Sequence, residues 1–174
     1  MTALPGPSIY RDGQLALICL GTSFPCRTPM DTPPRFEHAL RIGRSFSELA
    51  SLSEFIHHVA AVQQLAEEVE YGLQLVAEEL FTNMVKYSPE GEPHIQVRIA
   101  GNATELSMVF EDKGVRPFDP TVTRPRDFDK PAAERRPGGL GVHLVRTYMD
   151  DFRYEHRDGT STITVVKKLG GRHV

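Results

Sequence analysis

A long amphipathic helix in the middle of the chain constrains the fold more than any other feature. Apolar residues recur at steps of three and four between residues 65 and 86. They are Val69, Leu73, Val76, Leu80 and Met84. This spacing places them on one face of a single helix, which the stretch "SPEGEP" ends. A face of this length must be buried, so the rest of the chain is expected to supply a second layer.

Strands are predicted on both sides of this helix. Residues 35–42 alternate, with Phe36, His38, Leu40 and Ile42 on one face, as in a half-buried strand. A shorter helix follows, and Ser47 is expected to cap it. After the long helix, two strands over residues 94–100 and 104–112 are joined by a short turn at Gly101-Asn102.

The last third of the chain contains a loop, a helix and a hairpin. Residues 115–137 hold five prolines and many charges without a period, which predicts a long loop. A helix follows from about Leu140 to Met149, and two final strands flank a turn at residues 157–160. This order of elements predicts an α+β fold, a two-layer sandwich in which helices cover one face of a mainly antiparallel sheet.

Composition excludes several classes of protein. The 174 residues suffice for one domain with a core, and the net charge of −3 without a long basic run does not support nucleic-acid binding. Cys19 and Cys26 do not amount to a disulfide framework, and no Cys/His cluster indicates zinc. The longest apolar run, residues 15–24, is too short to cross a bilayer. The prediction is a cytoplasmic protein without a membrane partner.

The chain divides into three parts. Prolines interrupt any period in residues 1–34, which are expected to be an extension that is partly disordered or loosely packed. Residues 35–169 carry the patterned segments and are predicted to form one domain, followed by a tail over residues 170–174. A natural start at Met30, just before the patterned domain, is an open alternative.

Three polar side chains share one face of the long helix. Glu79, Asn83 and Lys86 are spaced by four and three residues, which places them within about 60° of one another. A carboxylate, a carboxamide and an amine in this arrangement suit a site for phosphate and a hard cation such as Mg²⁺. The alternative is a solvated helix face with a Glu-Lys pair, and the helix alone favours that alternative.

Asp112 ends a predicted strand. It continues the face of Leu106, Met108 and Phe110, so its carboxylate is expected to be buried and to need hydrogen-bond donors. The amino group of adenine is one candidate donor. Gly114 follows two residues later, and a turn built on Asp-Lys-Gly is the alternative.

A glycine cluster opens the last predicted helix. Gly138, Gly139 and Gly141 would expose backbone N–H groups that favour phosphate at a helix start, whereas a flexible entry into the helix is the alternative. The preceding loop could close over a nucleotide as a lid. Four arginines of that loop are either phosphate partners or solubilising surface residues: Arg124, Arg126, Arg135 and Arg136.

Together, the three motifs E-x-x-x-N, D-x-G and G-x-G, in this order, resemble the GHKL (Bergerat-fold, histidine kinase-like) ATPase superfamily. The segments "EELFTNMVKYS", "EDKGVRPFDP", "PGGLGVHLVRTYMDDFRYEHRDG" and "TITVVKKL" are most similar to its branch of anti-sigma-factor serine/threonine kinases. The resemblance covers residues 35–169. One departure is "VRPFDP", where family members often have another glycine.

The resemblance implies a role for each motif residue. Glu79, rather than its neighbour Glu78, would be the general base that activates the attacking hydroxyl. Asn83 would ligate the Mg²⁺ that bridges the phosphates of ATP, and Lys86 would lie near them.

The remaining motif residues would bind the rest of the nucleotide. Asp112 would accept a hydrogen bond from the adenine amino group, Gly114 would let the ring approach closely, and Thr162 would help to bind adenine through water. The phosphate-binding glycine box would consist of Gly139, Leu140 and Gly141.

The function implied by this resemblance is that of an ATP-dependent protein kinase that is also an anti-sigma factor. Such a homodimeric protein would hold a sigma factor inactive and phosphorylate a STAS-domain antagonist. The alternative is a nucleotide-gated regulator that binds a partner without phosphoryl transfer. The intact Glu79–Asn83 pair favours the kinase, because a pure binder needs no base.

Overall fold

The computed structural model describes residues 8–11, 14–16, 33–119 and 140–170 of the chain. In chain order the elements are β1 (Ser8–Arg11), β2 (Gln14–Ala16), β3 (Phe36–Gly43), a 3₁₀ turn (Phe46–Glu48), α1 (Leu49–Gln63), α2 (Glu67–Tyr87), β4 (His94–Gly101), β5 (Glu105–Lys113), α3 (Leu140–Tyr148), β6 (Asp151–Arg157) and β7 (Thr160–Lys168). Within these residues, no helix is long and apolar enough to cross a membrane.

The strands form a single sheet in the order β2-β1-β3-β4-β5-β7-β6. All neighbouring strands are antiparallel except β1 and β3, which are parallel. The predicted α+β sandwich is confirmed, and the antiparallel strands from β3 to β6 form its centre. Neither β1 nor β2 is predicted from the sequence, because residues 1–34 show no alternation long enough to indicate a strand.

The hydrophobic core lies between this sheet and the helices. β5 contributes Leu106, Met108 and Phe110, all of which are fully buried. The apolar stripe predicted for α2 is also buried, over Val69, Leu73, Val76, Leu80 and Met84. Burying one large apolar side chain is worth roughly 1.5–3 kcal/mol. This packing therefore holds the polar face of α2, with Glu79 and Asn83, in a fixed place beside the sheet.

The start of the first helix differs from the prediction. Ser45, not Ser47, provides the cap: its backbone is extended, and its hydroxyl oxygen accepts a hydrogen bond from the Ser47 backbone N–H at 3.3 Å. A 3₁₀ turn then leads into α1, which begins at Leu49. The prediction for Ser47 is wrong because the 3₁₀ turn precedes α1. The first backbone N–H groups that need a cap therefore belong to this turn and lie nearer the N-terminus than the start of α1.

The two predicted hairpin turns are both present. Asp158 and Gly159 have φ angles of 50° and 73°, as a two-residue turn with a left-handed backbone requires. At the other hairpin, β4 continues through Gly101, and the Asn102 side-chain oxygen accepts from the backbone N–H groups of Thr104 and Glu105 at 2.9 and 3.1 Å. That loop is therefore centred on residues 102–104 rather than on Gly101-Asn102.

Candidate functional site

Glu79 and Asn83 contact each other on α2. The Asn83 side-chain nitrogen donates to Glu79 Oε1 at 2.8 Å, as expected for side chains one helical turn apart. This bond leaves the Asn83 carboxamide oxygen as a free acceptor. Glu79 is half-buried, whereas the neighbouring Glu78 is exposed on the solvent side of the helix.

Lys86 lies near the end of the same helix and is exposed. Its Nζ lies 5.0 Å from the centroid of the Tyr87 ring, a cation-π distance. Lys86 is thus about one turn beyond Asn83 at the rim of the site and does not form an ion pair with Glu79 in the manner of the solvated-face alternative.

Asp112 is buried at the end of β5, as the sequence predicts, and only 1% of its side chain is exposed. Its donor within the protein is Arg44, a residue outside the three sequence motifs. One guanidinium nitrogen, Nη1, donates to Asp112 Oδ2 at 3.2 Å, and the other, Nη2, donates to Oδ1. The carboxylate and the guanidinium therefore form a two-point ion pair that is almost fully removed from water.

A signal for Arg44 is present in the sequence. The alternation of β3 through Leu40 and Ile42 places Arg44, two residues further on, on the same face. In the sheet, Ile42 of β3 pairs with Ile95 of β4, and Ile95 pairs with Asp112 of β5. Ile42 and Asp112 are therefore in line across the sheet, and Arg44 follows Ile42 by two residues. Only the register reveals this, because the two residues are 68 positions apart.

Burial and the ion pair have opposite effects on the Asp112 carboxyl. Burial raises its pKa above the ordinary value, and the nearby Glu90 and Glu92 act in the same direction. The hydrogen bond and the charge of Arg44 lower the pKa. Burial has the largest effect, so Asp112 depends on Arg44 to limit the rise.

A small cavity of about 20 Å³ opens next to Asp112. Its lining combines apolar and polar residues: Leu80, Asn83, Met84, Ser88, Asp112, Phe118, Tyr154, Ser161 and Ile163. The cavity thus connects the Asp112 carboxylate with Asn83, which in turn holds Glu79. The volume suits a water molecule or two, whereas ligand pockets measure roughly 300–1,000 Å³.

Two aromatic residues that line the cavity, Phe118 and Tyr154, are hydrogen-bonded to each other. The Phe118 backbone N–H donates to the Tyr154 hydroxyl at 2.8 Å, and the Phe118 ring stacks on Tyr87 at a centroid distance of 5.5 Å. Phe118 is 44% exposed and lies at the start of the predicted lid loop. At about 20 Å³ the cavity is too small for a planar base, so a lining side chain such as that of Phe118 would have to move for a base to enter.

The residues present fit an adenine nucleotide in their chemistry. Asp112 is an acceptor at the bottom of an apolar slot, and each carboxylate oxygen keeps a lone pair that Arg44 does not use. Asn83 offers a carboxamide oxygen of the kind that Mg²⁺ accepts. Among the described residues, no group of three or more His, Cys, Asp or Glu side chains could hold a metal ion.

Thr162 does not lie in this cavity. Asp112 pairs directly with Ser161 across β5 and β7, and Thr162 pairs with Glu111. Because neighbouring residues of a strand point to opposite faces, Thr162 lies on the face of the sheet away from Asp112. Ser161 takes the place expected for Thr162, and its hydroxyl lies 3.1 Å from the Tyr154 hydroxyl.

Gly114 is required by the backbone at the end of β5. Its φ angle is 69°, in the left-handed region that favours glycine. The turn brings the Glu92 N–H to the Lys113 carbonyl at 2.8 Å and the Val115 N–H to the Gly159 carbonyl at 3.1 Å. The D-x-G motif therefore forms the predicted turn and also carries the buried carboxylate that the alternation of β5 predicts, while its role toward adenine stays a prediction.

The glycine cluster is only partly described. Leu140 and Gly141 form the first turn of α3, in agreement with the predicted helix start. Gly138, Gly139 and the four loop arginines Arg124, Arg126, Arg135 and Arg136 lie outside the described residues.

Comparison with known proteins identifies a matching family. A model of the histidine kinase-like ATPase domain matches residues 46–167, which is more than half of the chain. This match includes Glu79, Asn83, Asp112 and the start of α3.

Two curated relatives share 26% sequence identity with the chain over the aligned residues. The chain is 26% identical over 113 residues to the serine/threonine-protein kinase BtrW of Bordetella bronchiseptica, a match that covers 64% of this chain and 79% of BtrW. It is 26% identical over 104 residues to the serine-protein kinase RsbW of Listeria monocytogenes, covering 52% of this chain and 61% of RsbW. The match thus spans less than two thirds of RsbW.

A solved structure has the same fold. The crystal structure of the RsbU and RsbW domains of Rv1364c from Mycobacterium tuberculosis superposes with a TM-score of 0.55 at 14% sequence identity. The superposition covers 79% of this chain and 32% of that one.

Proposed function

Because the chain belongs to the histidine kinase-like ATPase domain family, we propose that it binds Mg·ATP and transfers phosphate to a serine or threonine of a STAS-type antagonist, and that it also binds a sigma factor. The observation that carries the proposal is the position of Asn83, which lines the cavity beside Asp112 and holds Glu79. A candidate base and a candidate adenine acceptor are thereby parts of one site. The two relatives named as serine or serine/threonine kinases support the reaction class.

The base of the nucleotide is assigned to the cavity. The free lone pairs of Asp112 accept a hydrogen bond from the 6-amino group of adenine, and Leu80, Met84 and Ile163 pack against the ring. Ser161 supplies a hydroxyl beside the carboxylate, in the role first expected for Thr162. Gly114 completes the turn that carries Asp112 to this position.

The phosphates are assigned to the end of α2 and the start of α3. The Asn83 oxygen is the protein ligand for Mg²⁺, since its nitrogen is already bonded to Glu79. Lys86 lies about one turn further on with an exposed amine that can contact phosphate. Gly139, Leu140 and Gly141 are proposed to add backbone N–H donors. When bound, Mg·ATP supplies the transferable phosphoryl group and the neutralising charge.

Glu79 is assigned as the general base. Its carboxylate takes the proton from the partner's hydroxyl as the hydroxyl oxygen bonds to the γ-phosphorus. The bond from that phosphorus to the bridging oxygen breaks, and ADP leaves with its electron pair. Half-burial of Glu79 and its bond from Asn83 support this assignment over the neighbouring Glu78, which is exposed.

A nucleotide-gated regulator without phosphoryl transfer is the second candidate. The observation that favours it is the small volume of the cavity, about 20 Å³: a lining side chain must move for a base to enter, and Phe118, which lines the cavity, belongs to the predicted loop over residues 115–137. Nucleotide binding would then change the surface offered to a partner without any use of Glu79. For both candidate functions we propose the same partners: a sigma factor, a STAS-domain protein and a second copy of this chain.

A transfer assay separates the two candidates. The protein is incubated with Mg²⁺, ATP labelled at the γ-phosphate and a STAS-domain protein that co-purifies with it. The kinase assignment predicts label on a serine or threonine of the STAS-domain protein. ATP binding without label on such a partner would leave the nucleotide-gated regulator as the function.

A further inference from the structure

Arg44 is held in place by more than its ion pair. Its side chain is 7% exposed, and its Nε donates to the Glu92 carbonyl at 2.8 Å. Nη1 donates to the carbonyls of Ser88 and Met84 at 2.9 and 3.3 Å, in addition to Asp112. The guanidinium thus binds the carboxyl end of α2, where the helix dipole favours a cation, and the loop that follows.

Gly91 makes room for this guanidinium. A Cβ atom at Gly91 would lie 2.6 Å from Arg44 Cζ and 2.7 Å from a methyl group of Val115. Separations under 3.0 Å are not tolerated, so any side chain at position 91 would displace the guanidinium. The glycine of "SPEGEP", which lies beyond the C-cap of α2 at Ser88, therefore leaves room for Arg44.

Arg44 contacts Asp112 from outside the cavity. Asp112 is among the residues that line the cavity, and Arg44 is not. Arg44 therefore approaches from behind and leaves the cavity side of the carboxylate free. The Arg44 guanidinium also donates to three backbone carbonyls, which hold it in place independently of Asp112. A ligand that binds Asp112 therefore need not displace Arg44.

We propose that Arg44 is a positioning residue that sets the base selectivity of the nucleotide site. It keeps Asp112 in the carboxylate form and directs the remaining lone pairs into the cavity. A carboxylate only accepts hydrogen bonds, so where the 6-position of a purine faces Asp112, the carboxylate accepts from a 6-amino group and repels a 6-oxo group. The site thereby takes adenine nucleotides over guanine nucleotides. This inference rests on the proposed nucleotide site.

The ratio of ATP affinity to GTP affinity tests this role. Both affinities are measured by calorimetry, or by competition, in the wild-type protein and in Arg44→Met. Loss of an oriented, charged acceptor is expected to lower the ATP:GTP ratio about tenfold or more. General damage to the fold would weaken both nucleotides together and leave the ratio unchanged. Arg41→Met is the matched control, because Arg41 is an exposed arginine of β3, three residues before Arg44.

Gly91→Ala perturbs the same contact without removing a charge. Its Cβ displaces the Arg44 guanidinium, so the ATP:GTP ratio is expected to fall as in Arg44→Met. Gly170→Ala is the control, since a Cβ at Gly170 would meet no atom within 4 Å. Should Arg44→Met not fold, Gly91→Ala decides the matter.

Each outcome has a distinct meaning. An unchanged ratio in the decisive variant, or tighter ATP binding by it, overturns the role of Arg44 and leaves the proposed ATP site intact. Failure of the wild-type protein to bind ATP overturns the proposed function itself, and the role of Arg44 with it.

Discussion

Replacing Glu79 by alanine is expected to slow phosphoryl transfer by about 10²–10⁴-fold, while the Kd for Mg·ATP changes little. The reason is that the proposed role of Glu79 is to take up a proton during transfer, whereas the proposed adenine contacts come from Asp112 and the walls of the cavity. The measurement is the initial rate of label transfer to the STAS-domain protein at saturating ATP, together with calorimetry of ATP binding.

Two variants control this result. Glu78→Ala removes an exposed carboxylate next in the chain and should leave the transfer rate unchanged. Glu79→Gln keeps an oxygen that can accept from Asn83 but cannot take a proton, so its rate should fall as in Glu79→Ala. Transfer by Glu79→Gln at the wild-type rate would show that the carboxylate is not the base and that its contact with Asn83 is structural.

Replacing Asp112 by asparagine is expected to lower the free energy of unfolding by about 3–5 kcal/mol. The Arg44 guanidinium, with 7% of its side chain exposed, would then be buried without an opposite charge. The cost comes from the unpaired cation rather than from the lost contact alone. Urea unfolding at neutral pH measures the change.

The matched controls are a distant carboxylate and a double variant. Asp150→Asn removes a carboxylate that is 36% exposed and bonded to the Lys168 N–H, so its effect should stay near 1 kcal/mol. Adding Arg44→Met to Asp112→Asn removes the buried cation and should restore most of the lost stability. Equal losses in the single and double variants would contradict the ion-pair explanation.

The elements that position the site were predictable because their patterns are local. The steps of three and four in α2 place Glu79 and Asn83 one turn apart, and the structure has them in contact. The alternation of β5 places Asp112 on the buried face, where it lies. In both cases the residues that decide the outcome are within a few positions of one another.

Features that depend on register or long-range pairing were harder to predict. Thr162 and Ser161 differ by one position, and only the pairing of β5 with β7 shows which of them lies beside Asp112. Arg44 is separated from Asp112 by most of two strands and two helices, although its parity in β3 was a usable signal. The hydrogen bond between Phe118 and Tyr154 at the cavity joins residues 36 positions apart and has no sequence signature.

The proposed function depends on binding of the adenine of ATP at the Asp112 cavity, which a calorimetric titration measures. Wild-type protein and Asp112→Asn are titrated with Mg·ATP at neutral pH, with Asp150→Asn as the folded control. The proposed adenine site requires saturable one-site binding by wild type and Asp150→Asn, and at least a hundredfold weaker binding by Asp112→Asn, on the order of 3 kcal/mol for a lost charged hydrogen bond. Equal ATP affinity in wild type and folded Asp112→Asn would contradict it.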